Sequence, residues 1–181
     1  MISGPSGAGK GTVVGLLRAR LDHLAMAVSA TTRAPRPGEA DGNEYHFLTR
    51  DDFAAKVAEG AFVEWVEYSG DLYGTLRREV EQKLARGDDV LLEIELRGAR
   101  AVRAAMPEAV LVFVAPPSFD ELQRRLRGRG TESDAAIARR LGIAGTELAA
   151  ADEFDHVVVN DDAGRAAAEL AEIINAGRKG S

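Results

Sequence analysis

The chain has 181 residues, of which 45% are apolar and 29% charged, and these proportions are ordinary for one globular domain with a sizeable core. It has no cysteine, which excludes disulfide frameworks, thiolate metal sites and cysteine nucleophiles, and its three histidines are scattered and form no metal site. No apolar run approaches the roughly 20 residues of a membrane span. No signal peptide precedes the motif that begins at residue 4, so we expect a cytoplasmic protein with no membrane partner. The net charge of −6 predicts that it has no nucleic-acid partner.

A glycine-rich segment opens the chain and has the spacing of a phosphate-binding loop. Glycines let successive backbone N–H groups turn inward and surround phosphate oxygens, although the simplest alternative is a plain turn. The apolar run that follows predicts a helix over 10–22, whose N-terminus adds partial positive charge. The segment consists of Gly4, Pro5, Ser6, Gly7, Ala8, Gly9, Lys10, Gly11 and Thr12.

Two features of this segment depart from the usual pattern. Ser or Thr normally follows the lysine directly and holds Mg²⁺, but here Gly11 follows it and the hydroxyl comes at Thr12. We therefore expect Mg²⁺ to be held through phosphates and water.

Only three residues precede Gly4, whereas such loops normally follow a strand of about five or six residues. We expect an incomplete central strand or a true start upstream of Met1.

Strands and helices alternate along most of the chain. The predicted strands cover 25–29, 43–48, 62–68, 89–95, 109–115 and 156–159. After the first helix, the predicted helices cover about 51–59 with Thr49 as N-cap, 76–85, 97–105, 118–126, 133–151 and 163–177. Apolar strands between helices predict an α/β fold with a parallel sheet covered by helices. The stretch 29–80 breaks the alternation and predicts an antiparallel lobe inserted into a core made of 1–28 and 81–181.

A second candidate phosphate site lies in the segment Ser29–Glu39. Arg33 and Arg36 flank Pro35, which prevents one helix from carrying both arginines. On a loop, the two guanidinium groups can converge on one phosphate dianion. Two phosphate sites in one small α/β chain suggest transfer between two nucleotides, and we expect the two sites to face each other.

Several segments together strongly resemble the guanylate kinase family, in order and spacing from residue 2 to about residue 175. They are Gly4–Lys10, Ser29–Glu39, Asn43–Tyr45, Phe62–Trp65, Tyr73–Thr75, Arg125–Thr131 and Val159–Asp162. The resemblance implies the P-loop nucleoside monophosphate kinase fold, with a GMP-binding lobe at 29–80 and a helical lid at about 126–140. It also implies ATP-dependent phosphorylation of GMP to GDP in purine metabolism, with dGMP as a possible acceptor.

The resemblance also implies residue roles. The glycine-rich segment and Asn160 would bind ATP. The catalytic set would be Lys10 with the arginines that close over the phosphates, Arg125, Arg129 and Arg140. The GMP phosphate would be held by Arg33, Arg36, Tyr45 and Tyr73. The guanine would be read by Ser29, Glu64, Thr75 and Glu95, the last being aspartate in most of the family.

The chemistry of guanine gives these roles a physical basis. Its N1–H and N2–H₂ groups can both donate to a carboxylate such as Glu64, whereas adenine presents a lone pair at N1. The pattern is also compatible with simpler roles. On an alternating strand, Glu64 would be an ordinary acid that faces solvent, and Tyr45 and Tyr73 would belong to the core of the lobe.

Two other functions remain open: a catalytically inactive protein-binding module, and a kinase with another monophosphate acceptor. Lys10 and the arginines disfavour the inactive module. The residues predicted to read guanine disfavour another acceptor.

Overall fold

The computed structural model describes residues 1–68, 70–128 and 134–179, and the chain forms two compact units. The strands are β1 (Ile2–Ser3), β2 (Leu24–Met26), β3 (Ser29–Thr31), β4 (His46–Phe47), β5 (Phe62–Tyr68), β6 (Asp71–Leu76), β7 (Asp89–Leu91), β8 (Val112–Ala115) and β9 (His156–Val159). The helices are α1 (Lys10–Arg18), α2 (Arg50–Ala58), α3 (Arg77–Leu84), α4 (Leu96–Ala105), α5 (Phe119–Arg127), α6 (Asp134–Ala149) and α7 (Ala163–Lys179).

The first unit comprises Met1–Asp22 and Val110–Ser181 and contains a parallel sheet in the order β1-β8-β9. All four residues of β8 are apolar and buried, as expected for a central strand covered on both faces. Helices α1 and α7 pack against each other, and α7 also packs against β9. The short β1 pairs with β8 through Ile2 and Ser3, so the sheet leads directly into the glycine-rich segment.

The second unit, His23–Ala109, contains two sheets. Strands β2 and β7 form a parallel pair, and the other sheet has the order β4-β3-β6-β5. In this larger sheet β6 is antiparallel to both β3 and β5, while β3 and β4 are parallel. Its core includes Phe53 of α2 and Phe62 of β5, whose stacked rings have centroids 4.4 Å apart.

The predicted α/β class is confirmed, as is the capping role of Thr49, whose side chain accepts a hydrogen bond from the Asp52 N–H. The predicted strand 25–29 is wrong, because the chain leaves its parallel partner β7 after Met26 and pairs with β6 from Ser29. The predicted strand 89–95 is also too long, since pairing with β2 ends at Leu91. The predicted lobe 29–80 lies within the second unit, and its boundaries stay a prediction.

One further finding concerns the helices. In the ranges that the structure describes, none is both long and apolar enough to cross a membrane.

Candidate active site

The glycine-rich segment joins β1 to α1 in the first unit, and two of its glycines are required by their surroundings. Gly4 has a φ of 143°, and a Cβ there would overlap the Val114 carbonyl oxygen of β8. Gly9 has a φ of 87°, and a Cβ there would overlap the side-chain amide of Asn160. Side chains at these positions would force the segment away from the sheet or from Asn160, so glycine keeps the loop close to both.

Helix α1 begins at Lys10, directly after Gly9, which provides no side-chain cap. The first turn of such a helix presents backbone N–H groups that lack intrahelical acceptors and favour an anion. The Lys10 ammonium group donates to the carbonyl oxygens of Gly4 at 2.6 Å and Pro5 at 3.3 Å. It therefore lies over the loop, where phosphate oxygens would be held. Gly11 and Thr12 are exposed in the same turn.

Asn160 and Arg125 brace this loop. The buried Asn160 amide donates to the Ala8 carbonyl oxygen at 2.7 Å. The Arg125 guanidinium group donates to the carbonyl oxygens of Asn160 at 3.0 Å and Ala8 at 3.4 Å. Glu121 accepts from Arg125 at 2.7 Å, and hydrogen bonds from Arg124 and Arg125 lower the Glu121 pKa to about 2. The network orients Arg125, and sequence reasoning had assigned no role to Glu121.

The two other predicted catalytic arginines differ in what the structure shows. Arg140 of α6 donates to the Ser6 hydroxyl at 2.8 Å, so this arginine also reaches the glycine-rich segment. Arg129 lies outside the described residues. Of the predicted catalytic set, Lys10, Arg125 and Arg140 thus gather at one loop of the first unit.

In the second unit, Arg33 lies among aromatic side chains. Its guanidinium carbon is 5.4 Å from the centre of the Tyr45 ring, and the Tyr45 and Tyr73 rings have centroids 6.0 Å apart. Arg33 also donates to Glu39 at 2.9 Å. The hydrogen bond with Glu39, followed by weaker contributions that include Tyr73, raises the Arg33 pKa. The structure therefore brings together three of the four residues predicted to hold a phosphate.

Glu39 organises the segment that carries Arg36, the fourth residue predicted to hold the phosphate. One carboxylate oxygen of Glu39 accepts from Arg33, and the other accepts from the backbone N–H of Arg36 at 2.8 Å. The hydrogen bond with Arg33 is the main cause of a lowered Glu39 pKa. The Arg36 side chain is exposed. Sequence reasoning placed Glu39 in the motif without a role, although an acid close to two arginines was a usable signal.

Three of the residues predicted to read guanine form one row across neighbouring strands. The register pairs Ser29 of β3 with Thr75 of β6, and Thr75 with Glu64 of β5. The Thr75 hydroxyl donates to Glu64 at 2.8 Å, and both residues are buried. Burial raises the Glu64 pKa, while the hydrogen bonds from Thr75 oppose that rise. An acid that is only 5% exposed is not an ordinary solvent-facing residue.

Glu95, the fourth of these residues, is exposed and precedes α4 in the same unit. It makes no side-chain capping bond to that helix. Helix α4 packs against β5, the strand that carries Glu64.

No group of three or more His, Cys, Asp or Glu residues suited to a metal ion is found in the parts of the chain that the structure describes.

Comparison with known proteins identifies the family of this chain. The family model "Guanylate kinase" matches residues 1–177. The chain is 58% identical over 174 residues to a guanylate kinase of Frankia casuarinae, covering 96% of this chain and 95% of that protein. It is 56% identical over 177 residues to one of Rubrobacter xylanophilus, covering 96% and 91% respectively. A guanylate kinase crystal structure from Anaplasma phagocytophilum matches with a TM-score of 0.75 and 32% identity, covering 97% of this chain and 82% of that one. The chain belongs to the guanylate kinase family.

Proposed function

We propose that this protein transfers the γ-phosphoryl group of ATP to GMP and releases ADP and GDP. The observation that carries the proposal is the buried Glu64 carboxylate, which Thr75 holds in the same unit as the Arg33, Tyr45 and Tyr73 group. A buried acid suits a ligand that presents two hydrogen-bond donors, and the arginine with two tyrosines suits a phosphate. A purine monophosphate with donors on its base edge combines both requirements.

On the acceptor side, Glu64 accepts from N1–H and N2–H₂ of guanine. Ser29 and Thr75 donate to other polar atoms of the base, and Glu95 adds a second carboxylate. Adenine has no donor at N1 and would leave the buried carboxylate facing a lone pair, which disfavours it strongly. Arg33, Arg36, Tyr45 and Tyr73 hold the GMP phosphate, whose own oxygen attacks. Because this phosphate is largely ionised near neutral pH, no protein base is required.

On the donor side, the backbone N–H groups of the loop and Lys10 bind the ATP phosphates, and Asn160 belongs to the segment near the adenine. Arg125, Arg129 and Arg140 neutralise charge that develops on the transferred group. Phosphoryl transfer depends mainly on positioning and electrostatic stabilisation, so these residues supply what the reaction requires. The arginines also exclude water once both substrates are bound, which protects ATP from hydrolysis.

In this proposal Mg²⁺ would accompany ATP and would supply positive charge against its phosphates. The described residues lack a protein cluster for a metal, but Mg²⁺ in nucleotide sites needs only one or two protein oxygens besides phosphates and water. Thr12 in the first turn of α1 is exposed, and its hydroxyl would contact Mg²⁺ through water. The acidic net charge of −6 supports the further proposal that the enzyme has no nucleic-acid partner. A cytoplasmic location is also proposed.

An ADP-release assay with GMP, dGMP, AMP, CMP and UMP in parallel tests the proposal. We expect turnover with GMP, and at least about 10³-fold lower kcat/KM with AMP, CMP and UMP. Equal turnover of another monophosphate would identify a kinase with a different acceptor. Binding of GMP without any ADP release would instead indicate the inactive binding module.

A further inference from the structure

Gly98 occupies an unexpected position for a glycine. It lies in the first turn of α4, where a helical backbone accepts residues that carry a side chain, and glycine is a poor helix former. A positive φ therefore does not explain its presence. The surrounding space does: a Cβ at this position would lie 2.9 Å from a carboxylate oxygen of Glu64 and 3.4 Å from the Ile94 Cβ.

The Glu64 carboxylate has little freedom to move away from such a Cβ. Its other oxygen accepts the 2.8 Å hydrogen bond from Thr75. The register that pairs Glu64 with Thr75 fixes the backbone from which the side chain starts. Glu64 is only 5% exposed, so turning the carboxylate into solvent would disrupt the packing around it. The carboxylate is thus confined between Thr75 on one side and α4 on the other.

We infer that Gly98 is a positioning residue for base specificity, because the missing side chain leaves the space in which Glu64 presents its carboxylate. This inference rests on the proposed function, in which Glu64 reads guanine. A methyl group at position 98 pushes one carboxylate oxygen out of place while the other remains tied to Thr75. The two carboxylate oxygens then no longer match N1–H and N2–H₂ together, and selectivity for guanine falls.

The test is Gly98→Ala, with Gly145→Ala as matched control. Gly145 is also a helical glycine, in α6, and a Cβ there meets nothing within 4 Å. For Gly98→Ala we expect the KM for GMP to rise about tenfold or more and the preference for GMP over AMP to fall, with the KM for ATP within about twofold. Gly145→Ala should leave all three values unchanged.

A shorter acid provides the rescue. Glu64→Asp withdraws the carboxylate by one methylene, so adding Gly98→Ala to that variant should change the KM for GMP by no more than about twofold. This comparison applies even if Gly98→Ala alone fails to fold. The inference is overturned if Gly98→Ala binds GMP normally, or if adding Gly98→Ala costs as much in the Glu64→Asp variant as in the wild type.

The same experiment separates this inference from the proposed function. If the wild-type enzyme does not phosphorylate GMP, the proposed function fails and this inference fails with it. If the wild type is active on GMP and Gly98→Ala behaves like the wild type, only the role of Gly98 is disproved.

Discussion

The hydroxyl of Thr75 donates a 2.8 Å hydrogen bond to the carboxylate of Glu64 across two antiparallel strands, and both side chains are buried. The oxygen that accepts from Thr75 can still accept another hydrogen bond, since a carboxylate oxygen accepts more than one. An acid that is held in this way and buried interacts strongly with donors that enter the site.

Replacing this acid by its amide tests what it recognises. In Glu64→Gln an NH₂ group takes the place of one oxygen and faces a donor of guanine, which leaves both groups unsatisfied. We expect the KM for GMP to rise about 10²-fold or more while the KM for ATP stays within about twofold, measured by steady-state kinetics. Glu67→Gln, on the exposed part of the same strand, is the control. An unchanged KM for GMP would show that the base is read elsewhere.

The same substitution should stabilise the protein without ligand. Burial raises the Glu64 pKa above its ordinary value of 4.5, so the folded state binds a proton more readily than the unfolded state. As the pH rises from 4.5 through the folded-state pKa, the wild type loses stability that an uncharged glutamine does not lose. We expect Glu64→Gln to have the higher Tm at about pH 7 and the difference to fade below about pH 4.5. A pH-independent Tm difference would contradict this origin.

Lys10 provides a test of the donor site. Lys10→Ala removes the ammonium group that lies over the carbonyl oxygens of Gly4 and Pro5. We expect kcat to fall about 10³-fold or more because charge on the transferred group is no longer neutralised, while calorimetry finds the GMP affinity within about twofold of wild type. Lys56→Ala on α2 is the control lysine. Normal turnover in Lys10→Ala would remove this loop from the donor role.

Arg33 tests the phosphate end of the acceptor site. Arg33→Lys keeps the charge but loses the planar group that pairs with Glu39 and lies over the Tyr45 ring. We expect the KM for GMP to rise about tenfold, with the free nucleoside guanosine binding as weakly to the variant as to the wild type. Arg78→Lys, exposed on α3, should change neither value. A comparable loss in Arg78→Lys would show that the effect is not specific to the Arg33 guanidinium group.

The sequence predicted which candidate site residues lie together better than it predicted the paths of the strands. Spacing was enough to predict a glycine-rich loop before a helix, because that geometry is local. The break between β2 and β3 was not predictable, because an apolar run does not reveal a change of pairing partner. At the break the Val28 N–H donates to Glu79, 51 positions further along the chain, and no local pattern records that contact.

The residues that support the site were the least predictable part. Glu121 and Gly98 contact predicted site residues and do not form a motif of their own. Gly98 in particular is only an unfavourable residue in a predicted helix until its distance from Glu64 is known. Asn160 was predicted near the adenine from resemblance alone, and its bond to Ala8 depends on how β9 is placed beside β8.

Asn160→Asp tests whether this bond sets the shape of the donor loop. Asp has nearly the same shape, but a carboxylate oxygen would face the Ala8 carbonyl oxygen where the amide now donates at 2.7 Å. We expect a loss of about 1–3 kcal/mol in the free energy of unfolding and a KM for ATP about tenfold higher, with GMP affinity unchanged. Asn175→Asp, exposed on α7, is the control. If Asn160→Asp lowers stability but leaves the KM for ATP unchanged, the bond supports the fold of the first unit and does not shape the phosphate-binding loop.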